Sequence, residues 1–232
     1  MNEAEVHALV ASHADERARA HHRELFPDSP LTALGVPLTK LRKVAREVGR
    51  DRALAQTLWH SDVYELRLLA LLIDDPKAIT VEQAEAQVEH VTDGQLAHVF
   101  ASCDATLAKS PVAVEVAERW THADDALRRR CGHTLVYELS KSRKKSAPDD
   151  AWFAERIAHI DATWSTEDID GRMAMATALM GMGKRSAALW PEALRVAEDI
   201  GPVDFDPTGG CAPLDVVKHI DHPRVREKLG VG

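Results

Sequence analysis

Apolar residues recur along most of this chain at intervals of three and four, the period of helices that bury one stripe. Leu38, Leu41, Val44, Ala45 and Val48 fall on one side of a helix opening at Pro37 or Thr39, and Gly49 stands where a left-handed closing residue is wanted. The next helix ends near Leu58-Trp59, and another runs from Asp62 through Tyr64, Leu66, Leu69 and Leu72. Asn2 is placed to cap a first helix with an acidic opening turn, and a loop containing Pro and Ser runs from Phe26 to Leu31. Thr80 followed by Gln83 reads as a capping box for a helix carrying Val81, Ala84 and Val88. Further helices are predicted at about 93–108, 111–120, 124–140, 150–160, 166–182 and 186–200. Strand signals are nearly absent, and the short connections make consecutive helices antiparallel neighbours.

A second, weaker regularity overlies the helices. Trp59 precedes Arg67, Trp120 precedes Arg128 and Trp164 precedes Arg172, each by eight residues. Acidic residues lie in each interval: Asp62, then Asp124 and Asp125, then Glu167 and Asp168. The unit is a helix ending in Trp, a tight acidic turn, and a helix with an early Arg able to reach carbonyls or carboxylates of the neighbouring turn. The unit spacings are 61 and 44 residues, so the repeat is irregular. An all-α solenoid of HEAT-like antiparallel helix pairs accommodates this, because each pair buries its apolar face by stacking on the next. We expect a single domain over 1–232, with an N-terminal helix within 1–30 and a C-terminal extension at 202–232 packing on the solenoid.

Composition narrows the class. The chain has 232 residues, 45% apolar and 28% charged, enough to bury a core and too apolar for disorder. No apolar run approaches a membrane span, the N-terminus has neither signal-peptide nor transit-peptide character, and three cysteines without a CxxC pair argue against a disulfide framework or zinc knuckle. The expected compartment is the cytoplasm. Net charge is −8, yet the cations are gathered. Residues 37–52 hold six (Lys40, Arg42, Lys43, Arg46, Arg50, Arg52) against two acids, and residues 128–145 hold seven against Glu138 alone. Two such stretches are either solvated helix faces or a local anion-binding surface on an acidic protein.

Several segments in order resemble the AlkD family of bacterial DNA alkylation-repair glycosylases. They are Gly35-Val36-Pro37-Leu38-Thr39-Lys40-Leu41-Arg42-Lys43-Val44-Ala45, then Leu58-Trp59-His60-Ser61-Asp62-Val63-Tyr64-Glu65-Leu66-Arg67-Leu68-Leu69-Ala70, then Trp120 through Arg130, and finally Gly181-Met182-Gly183-Lys184-Arg185 with Ile200-Gly201-Pro202-Val203 and, after it, Cys211 and Pro213. The resemblance covers roughly residues 34 to 220. It implies a HEAT-like solenoid that holds double-stranded DNA and excises cationic N3- or N7-alkylated purines, with no cofactor, metal or membrane. It also implies site residues. Phe100 and Asp104 stand where the family carries an aromatic residue and its catalytic aspartate, which would put them one turn apart on one helix face. A fixed carboxylate there stabilises the oxocarbenium character of the departing sugar, and an aromatic face beside it contacts the cationic base. Arg130 matches the family's DNA-gripping arginine, with Arg128 and Arg129 as alternatives for that role. Arg42, Lys43, Lys184 and Arg185 are implied backbone contacts.

The chain departs from the family at three aromatic positions, which here are Phe100 in place of Trp, Leu127 and Thr177. Two readings from other classes therefore stand beside the glycosylase: a catalytically silent solenoid that binds DNA of unusual structure, and a protein-interaction scaffold. His21-His22 and the pair His219 and His222 lack the further ligands of a metal site. Cys103 has no histidine placed in sequence to activate it, Gly209-Gly210 match no phosphate loop, and Met173, Met175, Met180 and Met182 read as helix packing.

Overall fold

The first helix is fixed at its start by a reciprocal pair of bonds. The Asn2 side chain accepts from the Glu5 N–H at 2.9 Å, and the Glu5 carboxylate accepts from the Asn2 N–H at 2.9 Å. The computed structural model describes residues 1–92, 94–102, 105–205 and 212–231. Among the described residues it contains helices, short 3-10 turns and two isolated bridges, Thr32–Val63 and Val203–Leu214, but no extended strand. Its contacts divide the chain into two compact units, Met1–Val112 and Ala113–Gly232.

The first unit holds α1 (Glu3–Ala11), α2 (Glu16–Leu25), α3 (Leu38–Val48), α4 (Arg52–Trp59), α5 (Tyr64–Ile73), α6 (Val81–Val88) and α7 (Gly94–Ala101). The N-terminal stretch is two helices, because Asp15 turns the chain and caps α2 through the Ala18 N–H at 2.8 Å. α3 runs from Leu38 after Pro37 and closes at Gly49, with φ +78°, as its pattern predicts. α5 has almost no polar face and is buried along nearly its whole length, packed on α3, α4 and α7. Alternate helices α3, α5 and α7 thus lie side by side, with α4 paired to α5. Thr80 caps α6 through the Gln83 N–H at 3.2 Å, but the box is half-formed: the Gln83 amide donates instead to buried Asp74 at 2.7 Å. α7 ends at Ala101, short of the helix predicted to 108.

Glu65 ties this unit's loop to its core. It is 2% exposed, and its carboxylate accepts the N–H groups of Leu34, Gly35 and Val36 at 2.8, 2.7 and 3.0 Å. Gly35 has φ +78°, and a Cβ there would run into the backbone of Asp15 and Arg19.

The second unit holds α8 (Ala113–Thr121), α9 (Ala126–Lys141), α10 (Asp150–Thr163), α11 (Ile169–Gly183), α12 (Trp190–Ile200), α13 (Val216–Ile220) and α14 (Pro223–Leu229). α9 packs on α8 and on α11, and α11 in turn on α12 and α13. Gly181 and Gly183 let these helices close up, since a Cβ would collide with Ser140 and Tyr137 of α9 at the first and with Ile220 of α13 at the second. Met175 and Met182 are fully buried, consistent with packing.

His133 of α9 is 0% exposed, and neither ring nitrogen has a hydrogen-bond partner among the described residues. Burial first, then the neighbouring His159, His122 and Arg129, push its pKa down from 6.5 to about 3. Between those values the unfolded chain takes up a proton that the folded one refuses. Stability is therefore full above pH 6.5 and falls as acid is added towards about pH 3, with this residue contributing up to about 1.4 kcal/mol per pH unit. Urea unfolding across this range is expected to show that slope, and His133→Leu is expected to flatten it. An equal slope in the variant would remove His133 as its source.

Candidate nucleic-acid interface

Three arginines stitch helix starts to the turns before them. Arg67 donates to the Ser61 carbonyl at 2.7 Å and the His90 carbonyl at 3.1 Å, with its guanidinium 5.8 Å from the centre of the Trp59 ring. Arg172 donates to the carbonyls of Glu167 and Ser165 at 2.9 and 3.2 Å. In the middle unit this role falls to Arg129, one residue later than the Trp-to-Arg interval predicts. It donates to the carbonyls of Ala123 and Asp124 at 3.0 and 2.7 Å and pairs with buried Glu167 at 2.5 Å. That ion pair raises its pKa further. Arg129 is thus occupied inside the unit, which separates it from its two neighbours.

Arg128 and Arg130 meet carboxylates that face solvent. Arg130 donates to Asp170 at 2.6 Å, with side-chain exposures of 20% and 56%. Arg128 lies 3.6 Å from Asp125, the residue that caps α9 through the Arg128 N–H at 2.8 Å.

Arg185, expected on a DNA backbone, is instead sunk into the second unit at 9% exposure. Its guanidinium donates to the carbonyls of Ser140, Ser142 and Pro148 at 3.0, 2.8 and 2.9 Å and to Asp150 at 3.2 Å, and lies 4.5 Å from the centre of the Phe153 ring. Lys184 is half-buried, and burial lowers its ammonium pKa.

Phe100 is buried in the first unit. It is 0% exposed in the core of the first unit, its ring stacked on Trp59 with centroids 6.1 Å apart, because α7 turns Leu96, Val99 and Phe100 inward together. Asp104 and Cys103 lie outside the described residues, as do Gly209 and Gly210. Thr177 donates its hydroxyl to the Met173 carbonyl at 2.8 Å, and Leu127 is half-buried in α9.

In the first unit Arg42 is half-buried and Lys43 exposed. Arg42 is also one wall of a cleft of about 360 Å³ whose lining is Arg42, Ala45, Arg46, Gly49, Arg50, Leu72 and Lys109. Arg42 and Arg46 stand four apart on α3, a spacing legible in the sequence, whereas Arg50 lies beyond its closing Gly49. Lys109, from a 3-10 turn 59 residues beyond Arg50, carries no such signal.

Histidines 122, 133 and 159 cluster in the second unit. Their nitrogens do not converge, since His122 meets the Glu118 carbonyl at 3.0 Å and His159 the Thr121 carbonyl at 3.0 Å. Among the described residues no group of three His, Cys, Asp or Glu is arranged to hold a metal ion, and no helix is long and apolar enough to cross a membrane. Cys131 is buried, and desolvation raises its thiol pKa to about 12.

A family model described as DNA alkylation repair enzyme matches residues 6–200. Among solved structures, one described as "A new family of proteins related to the HEAT-like repeat DNA glycosylases with affinity for branched DNA structures" matches with a TM-score of 0.83 at 20% identity, over 100% of this chain and 97% of that one. At that identity the likeness is one of fold: an all-helical, HEAT-like-repeat architecture. No curated protein matches the chain significantly.

Proposed function

The chain belongs to the DNA alkylation repair enzyme family, and on that premise we propose that it binds double-stranded DNA through its phosphates and recognises the shape of the DNA, such as a branch, rather than an extruded base. The burial of Phe100 carries this reading. The aromatic side chain that the family resemblance puts against the base is packed under Trp59 and presents no face to a ligand. The grip itself suits Arg130, whose partner Asp170 is an exposed carboxylate. A phosphate offers a guanidinium the same kind of charged oxygen as the exposed Asp170 carboxylate it would replace. Arg130→Ala is expected to weaken duplex binding about five- to tenfold, the weight of one charge-assisted contact. Affinity for branched DNA is a property described for the structural relative and comes to this chain as part of the proposal.

A second reading is favoured by the family's own description as repair enzymes. In it Asp104 stabilises the sugar cation while a cationic alkylpurine departs, without any general acid, because the leaving base is already charged. One experiment separates the two. The native protein and Asp104→Asn are incubated with methylated duplex DNA while release of 7-methylguanine and 3-methyladenine is followed, and both are titrated with a four-way junction and a linear duplex of equal length. Junction preference without base release is the expected result. Release by the native protein but not by Asp104→Asn would overturn it in favour of excision.

A further inference from the structure

We infer that the turn joining α9 to α10, together with Lys141 at the end of α9, is a second contact for DNA phosphates, made wholly by the second unit. This rests on the DNA-binding reading above and adds a surface to it: Lys141, Arg143, Lys144 and Lys145 are assigned no role there.

The four cations stand within five residues, and all are exposed. Lys141 pairs with Glu138 at 2.7 Å. Among the described residues Arg143, Lys144 and Lys145 form no ion pair, in a unit where Arg129, Arg130, Arg185 and Arg195 each meet a carboxylate. Helix-end electrostatics account for Lys141, which lies in the last turn of α9. They do not account for Lys144 and Lys145. The effect fades within a turn, and the next helix starts at its cap Asp149 with an end that favours anions. Three adjacent cations repel one another, and a polyanion laid against the turn relieves that repulsion.

The turn is held in shape through its backbone. The Ser142 hydroxyl accepts the Lys144 N–H at 3.4 Å, and the Lys144 carbonyl accepts the Ala147 N–H at 3.0 Å. Arg143 donates one nitrogen to the Arg185 carbonyl at 2.9 Å. The Lys141 ammonium lies 4.3 Å from the centre of the Tyr137 ring, and that ring packs against Gly181, where a Cβ would come within 2.8 Å of it. The cations are thus set on a fixed base while the lysine side chains stay exposed.

Position adds an independent argument. Lys141 follows Arg130 by eleven residues on one helix, which is three turns and within about 20° of the same face. At about 1.5 Å per residue the two stand roughly 16 Å apart along α9. A duplex turns once in about 34 Å and its two backbones alternate along any one side, so phosphates recur there about every 17 Å on average. A duplex lying along α9 therefore meets Arg130 with one strand and the turn after Lys141 with the other. Contacts of this kind position a duplex without reading its sequence.

The test is the salt dependence of binding to a linear duplex, measured for the native protein, for Lys144→Gln combined with Lys145→Gln, for Lys145→Gln alone, and for a control with Arg224→Gln and Lys228→Gln, two exposed cations on α14 of the same unit. Every phosphate that a variant no longer neutralises is expected to lower the slope of log affinity against log salt by about one. The double variant should therefore lose about two from the slope and about 10- to 100-fold in affinity near 0.1 M salt, the single variant about half of that logarithmic loss, and the control neither. Thermal unfolding of each variant checks its fold. If the double variant fails to fold, the single variant decides. Equal losses in turn and control variants would overturn the contact in favour of general attraction by charge. Native binding with unchanged turn variants would overturn the contact and leave the DNA-binding reading standing, whereas a native protein that binds no DNA would overturn both.

Discussion

Glu65→Ala is expected to lower the stability of the first unit by about 4 kcal/mol, read as a fall in the urea midpoint without loss of helix content in the second unit. The magnitude follows from what the side chain does. One buried carboxylate accepts three consecutive backbone N–H groups, Leu34, Gly35 and Val36, at 2.7–3.0 Å. Bonds to a charged acceptor are each worth about 1.5–3 kcal/mol, and truncation strands three donors in a site that water enters only in part. Glu65→Gln separates charge from shape. The amide keeps one acceptor oxygen for the two N–H groups that share Oε1 but turns an NH₂ towards the third, so it is expected to lose about half as much. If alanine and glutamine variants unfold with the native protein, the loop from 34 to 36 is not held by this carboxylate.

Arg185→Ala is expected to cost the second unit about 3 kcal/mol, a melting midpoint lower by roughly 10 °C. Three carbonyls separated in sequence, at Ser140, Ser142 and Pro148, converge on its fork, and Asp150 and the Phe153 ring complete the seat. Lysine supplies the charge but not the planar fork, so Arg185→Lys is expected to recover less than half of the loss. The measurement also distinguishes two kinds of cation. Arg185→Ala should leave the DNA affinity of the folded fraction near its native value, whereas Arg130→Ala should spare the melting midpoint and weaken binding. The reverse pattern would return Arg185 to the interface.

The helices themselves are legible because each buried stripe is written locally: the α3 pattern locates the closing Gly49 to the residue and the opening to within two. α13 and α14, of five and seven residues, are too short to show a period. The sequence pattern overstates the reach of α7 because the apolar residues after Ala101, Ala105 and Leu107, are buried from a bend and a 3-10 turn rather than from continuous helix. At the candidate site the failures share one cause. A cation's role is set by partners far along the chain, 35 to 45 residues away for Arg185 and 38 for the Arg129–Glu167 pair. One residue along a helix turns a side chain by about 100°, which is enough to send Arg129 inward while Arg128 and Arg130 meet exposed acids. Phe100 reads equally well as a ligand contact or as core from sequence, since both want an aromatic side chain on an apolar face. In the structure its ring is buried.

The Cys131 thiol, sealed in α9 and held protonated by desolvation, bears on chemical survival. Methylating agents attack the strongest available nucleophile, and in a protein that is an accessible thiolate. At neutral pH Cys131 offers neither the charge nor the access, so it competes poorly with nucleobases for such agents. At this cysteine, a member of the DNA alkylation repair enzyme family presents such agents with almost nothing to react with.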